Sequence, residues 1–199
     1  MRRSYALAVP LTMVTLAAIG CSTGLADAET TSTTVYQAFT PHGSLKLRTR
    51  SKAGYCWTGS GTTPRRDAWR CFVGNYIYDP CFSSARDRGM VVCPDDPWLE
   101  TGVKIRLTKP LPYPSGNHSA PSRGLQPWAF ELYDGRRCRF SSGASDVIEG
   151  KRLNYFCGAS SEEGLWGFPY RGSEPWTILT APFQATELSE RAEVRHAWM

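Results

Sequence analysis

Cysteine thiols carry the clearest potential for chemistry in this chain. Seven cysteines are present, and the last six lie between residues 56 and 157. None of these six has the Cys-x-x-Cys spacing of a zinc ribbon or of a thioredoxin-like redox site. An even number of cysteines without metal-ligand spacing favours a disulfide framework, which forms in an oxidising compartment. The six residues are Cys56, Cys71, Cys81, Cys93, Cys138 and Cys157.

The pairing of these cysteines is not fixed by their spacing alone. Bridges between neighbours along the chain are the simplest arrangement, joining 56 to 71, 81 to 93 and 138 to 157. Each such bridge closes a short loop and contributes roughly 3 kcal/mol in the loop-entropy account. The third bridge is the best supported, because both of its cysteines fall on strand-like segments that can pair side by side.

Candidate catalytic residues are few. Three histidines, His42, His118 and His196, lie far apart and outside the His-Glu-x-x-His pattern of zinc enzymes. The sequence also lacks the Gly-x-Ser-x-Gly motif and a phosphate-binding glycine loop. A Ser/His/Asp site assembled from distant residues stays open, because such triads are defined by geometry. The sequence therefore nominates no catalytic residue, no metal site and no cofactor.

Acidic residues cluster around one tryptophan. Asp95, Asp96 and Glu100 surround Trp98, and paired carboxylates beside an aromatic ring would suit glycoside hydrolysis. The Asp-Asp-Pro run is more typical of a turn. The turn is the preferred interpretation.

Arginine and aromatic side chains are concentrated between residues 54 and 82. Arginine forks fit phosphate or carboxylate, and aromatic faces stack on sugars or on guanidinium groups. This composition predicts a surface that grips an anionic or glycan component. The opposing interpretation is a solvated turn, with Asp67 paired to Arg70 and with the tryptophans in the core. The candidate ligand-binding residues are Trp57, Arg65, Arg66, Trp69, Arg70 and Tyr76.

Short β-strands separated by turns must position these side chains. The chain contains 18 Gly and 14 Pro, and Asp79-Pro80 and Asp134-Gly135 predict turns. Residues 45–48, 103–107 and 192–198 alternate between apolar and polar side chains, as half-buried strands do. Residues 128–140 predict a β-hairpin, with residues 152–157 pairing beside it. The fold class expected is all-β, a small disulfide-stapled sheet, barrel-like or sandwich domain with long loops.

The dipeptide Pro-Trp recurs at the start of three strand-like runs. Proline is tolerated at the first residue of a strand, and a large indole anchors that end in the core. Core packing is therefore favoured over ligand stacking for Trp98, Trp128 and Trp176.

The N-terminus has the pattern of an export signal. Arg2 and Arg3 precede an uncharged apolar run that ends at Gly20, shorter than the roughly 20 residues that span a bilayer. Ala18-Ile19-Gly20-Cys21 resembles the lipobox of bacterial lipoproteins, although the usual Leu is replaced by Ala18. In that family a diacylglycerol is attached to the cysteine, which becomes the first residue. The resemblance implies a signal peptide over residues 1–21 and a membrane anchor at Cys21.

A rival cleavage site lies at Ala26-Asp27-Ala28, and its use would release a secreted form. An uncleaved chain in which Cys21 is there by chance is the weakest alternative. Residues 22–35 are rich in Ser and Thr and predict a flexible tether, followed by a single β-rich domain over residues 36–199. The formal charge of +5 falls to +3 without Arg2 and Arg3, because residues 1–21 hold no acid. This modest charge and the predicted export argue against a nucleic-acid partner.

The cysteine-rich blocks around Cys56, Cys71 and Cys81, together with residues 128–157, resemble a family of exported proteins and lipoproteins. That family belongs to high-GC Gram-positive bacteria such as mycobacteria, and the resemblance covers most of residues 54–198. It implies location and architecture, and it carries over no activity and no catalytic residue.

The preferred function is that of a non-enzymatic envelope module. It would bind a wall polymer or glycan, a small ligand or another exported protein. An envelope hydrolase acting on peptidoglycan or glycan is the alternative. It would require polar groups converging in a deep pocket, for instance His118 or His196 beside a carboxylate or serine.

Overall fold

A computed structural model describes residues 29–112, 125–158, 163–182, 184–188 and 191–199. The predicted signal peptide, Cys21, most of the predicted tether and His118 lie outside these ranges. Within them the chain forms thirteen strands and no helix, which confirms the predicted all-β fold class. The strands are β1 Ser32–Thr34, β2 Arg48–Gly59, β3 Ala68–Val73, β4 Tyr76–Ser83, β5 Met90–Pro94, β6 Thr101–Leu107, β7 Ala129–Leu132, β8 Arg137–Phe140, β9 Val147–Ile148, β10 Lys151–Cys157, β11 Glu163–Tyr170, β12 Trp176–Pro182 and β13 Arg191–Trp198.

The first barrel closes over strands β2 to β6 in sequence order. Neighbouring strands are antiparallel, and the barrel is closed by a parallel pairing of β2 with β6, from Arg48 opposite Thr101 to Gly54 opposite Leu107. The neighbouring strands β2 and β3 also approach closely: a Cβ atom on Gly54 would lie 2.1 Å from the carbonyl oxygen of Phe72. Only glycine fits there.

The second barrel is closed by six strands, in the order β13, β12, β11, β10, β8 and β7, with β7 pairing back to β13; β1 is added beside β13 and β9 beside β10. The predicted hairpin is present as β7 and β8, and its turn holds Gly135 with a φ of 87°. The predicted strand over residues 192–198 falls within β13. It is central to the barrel, because it pairs with β1, β7 and β12.

Three disulfides join the predicted partners along the chain. Cys56–Cys71 ties β2 to β3, Cys81–Cys93 ties β4 to β5, and Cys138–Cys157 ties β8 to β10. Cys138 and Cys157 are directly opposite each other in the ladder, as the hairpin argument required. All six are buried, so two of the bridges form part of the first core and one part of the second.

Each barrel has its own hydrophobic core. The core of the first barrel is built around Val91, Val103 and Ile105, and that of the second around Phe130 and Tyr155. The single domain predicted for residues 36–199 therefore consists of two barrels.

A third cluster of buried side chains joins the two barrels. Ala68 and Phe82 of the first barrel pack with Trp128 of the second and with Tyr36, which precedes both. The Tyr36 ring lies 5.3 Å from the Trp128 ring in an edge-on contact. Burial raises the pKa of Tyr36 to about 12. The predicted core roles of Trp128 and Trp176 are confirmed, and Trp98 packs partly buried against this third cluster.

The predicted tether is wrong at its end, since Ser32–Thr34 forms β1. This strand pairs in parallel with β13, from Ser32 opposite His196 to Thr34 opposite Trp198. Just before it, Thr31 Oγ1 donates to the carbonyl of Val194 at 2.6 Å. Backbone pairing with an existing strand orders this polar segment without any apolar side chain, a stabilisation that composition does not reveal.

Candidate functional site

Three aromatic rings form a row on the outside of the first barrel. Trp57 stacks on Phe72 with ring centroids 4.1 Å apart and an interplanar angle of 22°, and the centroid of the Tyr55 ring lies 5.8 Å from that of Phe72. Cys56 and Cys71 point into the core, so the neighbouring side chains along each strand point outward. We call Tyr55, Phe72 and Trp57 the aromatic ridge. Trp57 is 37% exposed although large apolar side chains are usually covered.

A cationic side chain lies over each end of the aromatic ridge. Lys109 Nζ is 4.2 Å from the centre of the Tyr55 ring, and the guanidinium carbon of Arg70 is 5.6 Å from the Trp57 ring. Both distances fall within the range of cation–π attraction. The ridge is thus flanked by positive charge at both ends.

Two β-bulges flank Arg70. On β2, Cys56 is opposite Cys71 and Thr58 is opposite Arg70, which leaves Trp57 as the additional residue. On β4, Tyr78 is opposite Cys71 and Cys81 is opposite Trp69, which leaves two residues facing Arg70. Bulges redirect side chains, and they are common beside functional sites.

The second bulge consists of Asp79 and Pro80, which corrects the turn predicted at this dipeptide. A bulge accommodates a proline that cannot donate to the ladder. It also brings the Asp79 carboxylate within reach of Arg70, with Nε 3.6 Å from Oδ2.

Asp79 is the most deeply buried charged group near the ridge, with a side chain only 1% exposed. Its carboxylate accepts hydrogen bonds from the Ser60 hydroxyl and, at 3.1 Å, from the Gly61 amide. Burial raises the pKa of Asp79, and these hydrogen bonds together with the Arg70 charge partly oppose that rise. The pair with Arg70 is therefore a compensated charge in a poorly solvated place.

A cleft of about 300 Å³ lies between the two barrels, next to Arg70. Tyr78, Asp79 and Asp95 line it from the first barrel, and Arg139 and Ser142 from the second barrel's side. Arg70 donates a hydrogen bond to the carbonyl of Ser142, so it stands between the aromatic ridge and this cleft.

The charged groups that line the cleft form hydrogen bonds and ion pairs with other groups of the protein. Asp95 is bound by Arg50, 2.7 Å away, and by the Thr101 hydroxyl, 2.9 Å away. Arg139 donates to the carbonyl of Asp95 at 3.0 Å and lies 3.5 Å from Asp96. These contacts pair each of the two carboxylates, Asp95 and Asp96, with an arginine.

A third aromatic–cation pair extends this surface. Tyr76 is 69% exposed, and Lys52 Nζ lies 5.9 Å from its ring centre. The same Nζ is 3.5 Å from the hydroxyl of Tyr78, which lines the cleft.

The six predicted ligand-binding residues divide into three groups. Trp57, Arg70 and Tyr76 lie on the exposed surface just described. Arg65 is a structural residue: it forms two hydrogen bonds with Asp67, at 3.0 and 2.7 Å, and donates to the carbonyl of Tyr36. The predicted pairing of Asp67 with Arg70 is therefore wrong, because Asp67 forms an ion pair with Arg65 and Arg70 forms one with Asp79.

Trp69 and Arg66 form the third group. Trp69 is buried within the first core, and its indole N–H donates to Ser83 Oγ at 3.0 Å. Arg66 is exposed and lines a different cavity, together with Trp69. The structure does not bring these two residues to the aromatic ridge.

Phe72, Lys109 and Asp79 belong to the site but are not among the ligand-binding residues predicted from the sequence. Phe72 follows Cys71, so strand alternation predicts that it points outward once the cysteine is placed in the core. Lys109 and Asp79 had no comparable signal, because their positions depend on barrel closure and on the bulge in β4.

His196 lies on β13, outside the residues that line the inter-barrel cleft. Its Nδ1 is 2.6 Å from Ser32 Oγ, and its ring lies 4.4 Å from that of Trp198. Partial burial lowers the pKa of His196, opposed by the charge of Glu131. His196 therefore has a serine hydroxyl beside it and Glu131 opposite it on β7, and it does not line the cleft between the barrels.

The acidic run near Trp98 forms the predicted turn, since the amide of Leu99 donates to the carbonyl of Asp96. In the described part of the chain, no three His, Cys, Asp or Glu side chains are grouped so that they could hold a metal ion. Nor do these residues include a helix long and apolar enough to cross a membrane.

Comparison with known proteins did not identify a relative of this chain. No protein-family model matches the chain, and neither the curated proteins nor the solved structures gave a significant match.

Proposed function

We propose that this protein is an exported cell-envelope lipoprotein that binds an anionic glycan polymer without chemically altering it. The aromatic ridge supplies the stacking surface, and Arg70 and Lys109 supply the charge. The observation that carries the proposal is the Trp57–Phe72 stack, held exposed between two cations.

The exposure of Trp57 supports a binding role. Burying a large aromatic side chain stabilises a fold by roughly 1.5–3 kcal/mol, so leaving one partly in solvent forgoes that gain. The bulge at Trp57 holds the ring outside the barrel. A sugar ring laid on the indole would cover it, and the flat faces suit repeating units.

Charge supports an anionic partner. Arg70, Lys109 and Lys52 all lie over aromatic rings of this surface, and the carboxylate that pairs with Arg70, Asp79, is buried. Acidic groups of a polymer would meet Lys52 and Lys109, which form no ion pair with any residue that the structure describes, and a partly compensated guanidinium at Arg70. Such complementarity speeds association and makes binding depend on salt.

Rigidity supports stacking as well. Cys56–Cys71 joins the two strands that carry the ridge, next to all three of its rings. A preformed aromatic surface loses little conformational entropy on binding.

Co-sedimentation with insoluble envelope polymer from a high-GC Gram-positive host tests the binding role. We expect Trp57→Ala to bind about tenfold more weakly than the wild type, the loss typical of a central aromatic contact. Tyr170→Ala is the matched control, because Tyr170 is 57% exposed on the second barrel and outside the ridge. Equal sedimentation of all three proteins would contradict the proposal.

Mass spectrometry of protein isolated from its own host tests the location. A diacylglycerol on Cys21 supports the lipoprotein, and a start at Glu29 would show the secreted form instead. An intact N-terminus at Met1 would refute export by either route.

A further inference from the structure

A second cavity, unrelated to the aromatic ridge, lies where β3 begins, β4 ends and the chain leaves β6. Its volume is about 580 Å³, within the range of small-molecule sites. Arg66 and Arg88 contribute two guanidinium groups to its lining, and Trp69, Leu111 and Pro110 contribute apolar surface. We call it the arginine-rimmed cavity.

Both arginines are exposed, and neither has a hydrogen bond or an ion pair with any residue that the structure describes. Asp67 also lines the cavity, but its carboxylate is held by Arg65 through two hydrogen bonds. The cavity therefore has an excess of positive charge at its rim that no acidic side chain lining it compensates.

The apolar part of the cavity is fixed in place. Leu111 packs against the core of the first barrel. The indole N–H of Trp69 is bound by Ser83, which also lines the cavity. A rigid apolar wall next to two uncompensated cations matches a molecule with an apolar chain at one end and an anion at the other.

We infer that the arginine-rimmed cavity binds an anionic amphiphile with a phosphate headgroup. The phosphate is held by Arg66 and Arg88, since a pair of guanidinium forks matches its charge and its several oxygens. The apolar chain lies along Leu111 and Trp69. This site is separate from the one proposed for glycan binding, and each can fail without the other.

Isothermal titration of the full chain with dodecyl phosphate, below its micelle concentration, tests the inference. We expect one molecule bound per chain. We expect Arg66→Gln with Arg88→Gln to weaken binding at least about tenfold, the loss typical of removing charge-assisted contacts. Arg48→Gln, an exposed arginine outside the cavity, is the matched control and should bind as the wild type does.

Two further ligands separate the contributions of charge and chain. Dodecyl maltoside has the same chain without the charge, and inorganic phosphate has the charge without the chain; both should bind much more weakly. Equal affinity of the double variant and the wild type would overturn the inference, as would equal binding of dodecyl maltoside. Binding of inorganic phosphate as tight as that of dodecyl phosphate would reveal an adventitious ion only. Trp57→Ala should bind dodecyl phosphate normally, which distinguishes this site from the ridge.

Discussion

The guanidinium group of Arg70, on a strand of the first barrel, donates a hydrogen bond to the backbone carbonyl of Ser142, in the part of the chain that forms the second barrel. The same group lies over the ring of Trp57 and pairs with the buried carboxylate of Asp79. One side chain thus connects the exposed aromatic ridge, a buried charge and the contact between the barrels.

Removal of the Arg70 side chain should destabilise the protein. Arg70→Ala leaves the Asp79 carboxylate buried without its cation, and an uncompensated buried group of this kind costs about 2–3 kcal/mol. Urea unfolding at pH 7 measures the loss. Arg48→Ala, at an exposed arginine for which the structure shows no ion pair among the described residues, is the control, and an equal effect of both changes would contradict the role given to Arg70.

Asp79 should make stability depend on pH. Because burial raises its pKa in the folded protein above that of an ordinary aspartate, the folded state holds this proton more tightly than the unfolded state. Its contribution to stability is therefore present below the unfolded pKa of about 4 and declines as pH rises through the folded pKa. The stability of the wild type minus that of Asp79→Asn should fall between pH 4 and pH 7, measured by urea unfolding. A difference that rises over that interval would contradict the assigned direction.

The disulfides should differ in their effect on binding but not much in their effect on stability. Cys56→Ser with Cys71→Ser, and Cys138→Ser with Cys157→Ser, open bridges between residues 15 and 19 positions apart. Each loss should cost roughly 3 kcal/mol in thermal or urea unfolding. Only the first pair supports the ridge, so only that variant should bind envelope polymer more weakly at temperatures where both are folded. Equal loss of binding would show that the ridge does not depend on its own bridge.

Gly54 should tolerate no side chain. A Cβ atom there would overlap the carbonyl oxygen of Phe72. The ring of this phenylalanine belongs to the aromatic ridge. Overpacking of this kind costs about 1–3 kcal/mol, so Gly54→Ala should lower the unfolding midpoint clearly. Gly143→Ala has open space around its Cβ and should have little effect. If both changes were neutral, the tight approach of β2 and β3 would be contradicted.

Local patterns predicted much of this fold. The three bridges could be paired because each closes a short loop, and the turn at Gly135 placed Cys138 on a strand beside Cys157. Alternation located β6 and β13, since half of each strand faces a core. The alternating residues 45–48 were less informative: Leu45 forms only an isolated bridge with Phe39, and β2 starts at Arg48.

The sequence does not predict which strands pair over long distances along the chain. The parallel ladder that starts at Arg48 and Thr101 joins strands far apart in the chain and leaves no local signature, so closure into two barrels was not predicted. The candidate site could be predicted only in part for the same reason. Composition predicts Trp57, Arg70 and Tyr76, whereas the Asp79-Pro80 dipeptide predicts a turn, because a bulge inside a strand has the same residue types as a turn.

Calorimetric titration with a purified anionic envelope glycan, at low and at high salt, is the decisive measurement of glycan binding by the aromatic ridge. We expect saturable binding by the wild type that weakens as salt is added. Trp57→Ala should lose about tenfold in affinity, Lys109→Gln should bind more weakly with a smaller salt dependence, and Tyr170→Ala should bind unchanged. Binding of the same strength in Trp57→Ala and Tyr170→Ala, or no binding by the wild type to any anionic envelope glycan, would contradict it.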